Sequence, residues 1–265
     1  MRFVKKTKTT LLVAVIPALL MAALGVKLFL FPSVKDAWFE MDEESLSRVP
    51  PGLLIIRPTH FSRSLYRRGV TSASIGQDGS GPWNIMGRDV SLRDIIAAAY
   101  DENAARVVLP LDAPTNHFDF IATATDSRQR LAKAVRSEFG YTVHKETRDT
   151  GVLALKVENT LLPGLVISSA GETRNAFYKH GQYFLTHFQL KLLLPDFEQF
   201  LKTPVVDETG LTNNYDFSLP WNIQLVQQFN NEATARPALD KILATLGLGF
   251  ETETASLEML VVKKE

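Results

Sequence analysis

The residues of this chain best suited to chemistry are its five histidines, His60, His117, His144, His180 and His187, because imidazole titrates near neutral pH and ligates metals. None belongs to an HExxH motif and none stands in a tight cluster with carboxylates. His180 and His187 can share a metal only if the local strand and loop bring them together. Around Asp207 and Asp216, the residues Glu208, Thr209, Asn213 and Asn214 supply oxygen ligands of the kind calcium takes. The spacing lacks the alternating carboxylates and closing glutamate of an EF-hand loop. Aspartate followed by Thr-Gly is also the composition of a turn closed by side-chain to backbone hydrogen bonds. Ser168 and Ser169 lack a Gly-x-Ser-x-Gly elbow. Gly76 to Gly81 has the glycine of a phosphate loop without its Gly-Lys-Ser/Thr. The chain has no cysteine, which excludes disulfides, thiolate metal cages and a cysteine nucleophile. The reading is of a protein with no catalytic residue, no metal site and no cofactor. An exported hydrolase with a site between two repeats is the alternative.

One stretch remains as a candidate interaction or structural motif, Asp207, Thr209, Gly210, Tyr215, Asp216 and Phe217. Its residue types suit a turn: Asp207 and Thr209 can bond it, Gly210 allows a positive φ, and Tyr215 and Phe217 fall on one strand face two apart. Asp119 sits between Phe118 and Phe120 as Asp216 sits between Tyr215 and Phe217. Both aspartates are expected to bond a neighbouring turn or helix end.

The elements that must hold these residues are written twice. Phe118-Asp119-Phe120 recurs 97 residues later as Tyr215-Asp216-Phe217, and Gly140-Tyr141-Thr142-Val143 recurs 107 residues later as Gly247-Leu248-Gly249-Phe250. The expected fold is α+β, a tandem repeat of two small β-α-β-β-α-β-β domains after an N-terminal transmembrane helix. In the first repeat, Leu92, Ile95, Ile96, Ala99 and Tyr100 line one face of a helix with Ser91 as its N-cap. A second helix opens after Asp126-Ser127 and stops at Gly140. Tyr141 to Thr147 and Val152 to Val157 are expected to pair as a hairpin around Arg148-Asp149-Thr150-Gly151. In the second repeat, Pro195 either kinks or starts the first helix. Pro237 is expected in the first turn of the second helix, and Phe250 to Thr254 with Leu257 to Lys263 is expected as a closing hairpin.

The division expected is 1–34 membrane anchor or signal segment, 35–52 juxtamembrane connector, 53–160 first repeat and 161–265 second repeat. Arg2, Lys5, Lys6 and Lys8 precede an apolar run from Leu11 to Phe31, long enough to cross a bilayer. Basic residues on that side keep the N-terminus in the cytoplasm and place the C-terminal domains outside the inner membrane. The competing reading is a signal peptide cut near Ala23 or Gly25, releasing a periplasmic or secreted protein. Lysine plus arginine balance aspartate plus glutamate at 29 each, so no broad attraction to nucleic acid is expected. The partners expected are the membrane, through the N-terminal helix, and an envelope protein.

Thr203-Pro204-Val205-Val206-Asp207-Glu208-Thr209-Gly210-Leu211-Thr212, followed by Tyr215-Asp216-Phe217 and Trp221, resembles the signature of a soil-associated family of exported bacterial proteins with a domain of unknown function. Leu92-Arg93-Asp94-Ile95-Ile96 and His144-Lys145-Glu146-Thr147-Arg148 add to the likeness, which runs from about Leu53 to the C-terminus. Leu109-Pro110 stands where members usually show Gly-Pro-x-Trp. The resemblance implies an exported protein; some members are joined to membrane metallopeptidase sensors, but this chain has one apolar span and no zinc motif. A module present twice with no catalytic motif in either copy is read as a non-catalytic interaction, sensor or assembly module. Each repeat is also similar to the short N-terminal domain of secretins and TonB-dependent receptors, which implies a fold used for periplasmic contacts.

Overall fold

A computed structural model describes residues 39, 42–59, 69–74, 83–123, 125–169, 171, 173–220 and 232–265. The apolar run Leu11 to Phe31 lies outside them, as does the glycine-rich stretch Gly76 to Gly81. No helix among the described residues is long and apolar enough to cross a membrane. The fold is mixed α and β, with three four-stranded sheets and five α-helices among the described residues.

The chain divides into two compact units. The first holds helix α1 (Glu43–Ser47) and strands β1 (Leu53–Pro58), β2 (Gly69–Ser74), β3 (Trp83–Val90) and β5 (Phe118–Thr123). Its sheet runs in the order β1-β5-β3-β2. Leu46 and Val49, at the end of α1, pack with Phe39 on Ala73, Met86 and Ile121. Buried Asn84 donates to the Leu46 carbonyl at 2.8 Å, so the helix end is tied to the sheet by a hydrogen bond as well as by apolar contact.

The second unit holds the remaining elements. Helix α2 (Leu92–Tyr100) opens with a capping box in which Ser91 and Asp94 each bond the other's backbone N–H. Its apolar stripe buries Leu92, Ile95 and Ile96 completely, each worth about 1.5–3 kcal/mol relative to exposure. A 3-10 turn, Ala104–Arg106, leads into β4 (Val107–Val108). Helix α3 (Ser127–Phe139) ends at Gly140, whose φ of 70° is the left-handed conformation that glycine adopts without a Cβ clash. The chain continues through β6 (Tyr141–Val157), β7 (Val166–Ile167), β8 (Asn175–Lys179) and β9 (Gln182–Phe188). It then passes a 3-10 turn (Leu190–Leu193), α4 (Leu194–Leu201), β10 (Val205–Asp207), β11 (Tyr215–Pro220), α5 (Glu232–Thr245) and β12 (Leu248–Lys264).

Where the sequence leads one to expect two local hairpins, the chain forms two continuous strands of 17 residues, β6 and β12. They pair antiparallel along their whole length, from Leu248 opposite Val157 to Lys264 opposite Tyr141. Arg148 to Gly151 therefore lies inside a strand, opposite Leu257 to Thr254. The physical reason is that a hairpin would leave these residues as an unpaired turn, whereas a partner strand of equal length gives each of them a ladder position. Burial follows: Val152 to Leu155 and Met259 to Val262 are buried, and most residues between the ends are exposed. Short parallel strands flank the ribbon, with Val205 opposite Leu153 in β10 and Val107 opposite Leu260 in β4.

The third sheet runs β7-β11-β9-β8, the chain order of the first unit's sheet. The element order is thus β-β-β-α-β-β-α-β from β1 to β6 and again from β7 to β12. Compared with the expected order, three strands rather than one stand before the first helix, and one long strand replaces each terminal hairpin. In β2, β3, β8 and β9 polar residues interrupt the apolar pattern that marks a strand in sequence.

Pro195 begins α4 rather than kinking it, where its missing N–H costs nothing. Pro237 differs from expectation. It lies inside α5, which starts upstream at Glu232, so the helix forgoes one interior hydrogen bond, a loss that the buried Leu239, Ile242, Leu243 and Leu246 offset.

Candidate functional site

The Val205–Phe217 motif is a self-bonded turn followed by a core strand. Asp207 Oδ1 accepts from the Thr209 N–H at 3.0 Å and from its hydroxyl at 2.7 Å, and the Leu211 N–H bonds the Thr209 Oγ1 at 3.1 Å. Gly210 has φ 68°, which this tight turn requires. Tyr215 and Phe217 then turn into the core among Leu185, Leu193 and Leu243. The six motif residues do not converge on one site, since Asp207, Thr209 and Gly210 sit in the turn while Tyr215 and Phe217 are covered by protein.

Asp216 does a different job. Between Tyr215 and Phe217 the β11–β9 register shifts by one residue, and His187 takes φ 52° in that bulge. The Asp216 carboxylate accepts from the His187 N–H at 2.8 Å and from the Ser168 hydroxyl at 2.5 Å. Those two bonds hold its pKa below the usual aspartate value, the Ser168 bond contributing most. In the first unit Asp119 likewise accepts from the N–H of Asp89, itself at φ 52°, at 3.0 Å and from the Thr59 hydroxyl at 3.1 Å. Each aspartate offsets the backbone strain of a non-glycine residue in the left-handed region.

Sequence reasoning missed Arg106 and Glu198. Glu198, almost wholly buried on α4, receives the Arg106 guanidinium at 2.7 and 3.0 Å and the Val205 N–H at 3.0 Å. The two charges are 92 residues apart, so no local pattern could have paired them.

Neither of the chemical readings finds a constellation. His187 pairs its Nε2 with the Asn214 side-chain amide at 2.6 Å, while His180 lies in the β8–β9 turn, at the opposite end of β9. Among the described residues, no group of three His, Cys, Asp or Glu is gathered to hold a metal ion.

Two features of the second unit are suited to binding. The first is β8, the edge strand of its sheet, in which all five residues are exposed. Phe177 stacks on Phe184 of β9 with ring centroids 5.2 Å apart and is still 42% exposed; Tyr178 is 58% exposed. The long ribbon carries charge instead, paired between its two strands: Lys145 with Glu258 at 2.6 Å, Glu146 with Lys263 at 2.5 Å and Lys156 with Glu251 at 2.8 Å. The second feature is a cavity of about 300 Å³ between the inner face of that sheet and helices α4 and α5, with Asp196 among its lining residues.

A family model described as "Protein of unknown function (DUF3738)" matches residues 93–264, more than half of the chain. The protein belongs to that family. No curated protein and no solved structure matches it.

Proposed function

We propose that this chain is a non-catalytic interaction module of the bacterial envelope, held at the cytoplasmic membrane by residues 1–34 with its folded part outside. The observation that carries the reading is β8. An exposed edge of aromatic character, with one lysine as its only charge, is the kind of edge to which an extended segment of another protein adds as a further strand. The Ala176 N–H is occupied only locally, by the Asn175 side chain at 2.8 Å. Phe177 and Tyr178 would supply side-chain contacts on the two faces of the added strand. Membrane tethering rests on Arg2 to Lys8 ahead of the apolar run Leu11 to Phe31.

We also infer an internal duplication. The recurrence of one strand order in two sheets supports it, and so does the matching parallel placement of Val107 and Val205 beside β12 and β6. The Thr203–Thr212 signature supports a place among the soil-associated exported proteins, and the small strand-and-helix units support a contact role like that of the secretin and TonB-receptor N-terminal domains. A hydrolase needs a nucleophile, a base and a polarising group brought together, and the cavity described above carries a single carboxylate.

The test is affinity capture from detergent-solubilised envelope with the full chain and with Ala176→Pro and Phe177→Asp, whose side chains lie on the exposed edge. The expected result is a protein retained by the wild type and lost from both variants while their melting temperatures hold. Identical capture by all three, or none by any, contradicts the reading.

A further inference from the structure

The cavity beneath α4 combines properties that a structural void does not need. Its wall is apolar, with Leu185 from β9, Leu193 and Phe197 from the 3-10 turn and α4, and Leu243 from α5. At about 300 Å³ it reaches the lower range of small-molecule sites. An apolar cavity of roughly 150 Å³ is enough to take a benzene ring, so this one has room for a ring and a short chain.

The one acidic group on the wall is Asp196, in the first turn of α4 and reachable by solvent. Among the described residues no lysine or arginine is paired with it, in contrast to Glu198 two residues later, which is engaged by Arg106. The surrounding apolar atoms push its pKa above the ordinary aspartate value. Aromatic rings of Tyr183, Phe197 and Phe200 stand around the same space, and ring faces attract cations. A carboxylate with no lysine or arginine paired to it among the described residues, at the mouth of an apolar and aromatic chamber, is complementary to a molecule with an apolar body and one positive head.

We propose that this cavity binds a small cationic amphiphile, an aromatic or short aliphatic amine, with its ammonium on Asp196 and its apolar part among Leu185, Leu193, Phe197 and Leu243. The site is separate from the β8 edge, so either can fail without the other.

The probe is 2-phenylethylamine, titrated calorimetrically into the full chain in detergent, with 2-phenylethanol and 3-phenylpropanoate as neutral and anionic shape controls. The same micelle surrounds every protein variant, so partition into detergent cancels between them. The wild type is expected to prefer the amine over the alcohol by about fivefold, the scale of a partly exposed charge pair, and to bind the carboxylate weakest. Asp196→Asn, at an accessible position that leaves the core intact, should bring amine and alcohol to parity. Leu219→Trp, which fills the chamber from β11, should remove all three. The proposal is overturned by equal binding of the three probes, by an amine preference that survives Asp196→Asn, or by no binding at all.

Discussion

The guanidinium of Arg106 and the carboxylate of Glu198 meet at 2.7 Å, and they join the 3-10 turn before β4 to helix α4. Glu198 also receives the Val205 N–H at 3.0 Å, so one buried carboxylate ties the arginine, the helix and the start of β10 together. Partnership with Glu198 raises the arginine pKa further, its hydrogen bond being the main cause. Arg106→Ala leaves a buried charge without a counter-ion and should cost about 3–5 kcal/mol in urea unfolding. A loss below about 1 kcal/mol would show that water replaces the arginine.

The Asp216 bulge predicts an acid-sensitive fold. Because the folded carboxyl lies below the ordinary value, the unfolded chain takes up the proton more readily. The stabilisation is present above the unfolded aspartate pKa and disappears as pH falls through the lower, folded one. Asp216→Ala should lower stability at pH 7 by about 1–3 kcal/mol, through the unmade bonds to Ser168 and His187. It should also flatten the decline in stability below about pH 4. A variant with an unchanged acid limb would remove Asp216 from this account.

Two glycines separate strain from collision. Gly210 and Gly247 have φ of 68° and 77°, but a Cβ at Gly210 meets nothing within 4 Å, whereas one at Gly247 lies 2.8 Å from the Asn159 carbonyl oxygen. That region is also bonded through the Gly247 carbonyl to the N–H groups of Glu158 and Asn159. Gly210→Ala should cost about 1 kcal/mol from backbone conformation alone, and Gly247→Ala clearly more. Equal losses in thermal unfolding would contradict the close approach.

The pairing of β6 with β12 is open to a direct chemical check. Thr150 and Ala255 are cross-strand partners, so their Cβ atoms stand about 4.5–5.5 Å apart. The chain has no cysteine of its own, so Thr150→Cys with Ala255→Cys should give one intramolecular disulfide under mild oxidation. Two local hairpins would instead leave both thiols free.

Much of the local structure was legible because its causes are local. Ser91 and Asp94 announce the start of α2, Gly140 the end of α3, and Pro195 the start of α4, each through groups a few residues apart. Pairing across about 100 residues was not. Asp149-Thr150-Gly151 has turn composition, and only the presence of β12 converts it to strand. Arg106 and Glu198 read as two surface charges until their helix and turn are brought together. For the candidate site, the bonding capacity of Asp207, Thr209 and Gly210 was readable from residue types. The bulge at His187 and the exposed β8 edge depend on sheet order and register, which no short window of sequence contains.

Amide hydrogen exchange on the captured complex reads directly whether β8 receives a partner strand. Binding should slow exchange within residues 175–179 and leave the charged middle of the β6–β12 ribbon unchanged, because an added strand bonds the donors on the outer side of β8. Protection confined to the ribbon, or none at β8 in a complex that has formed, would contradict the account.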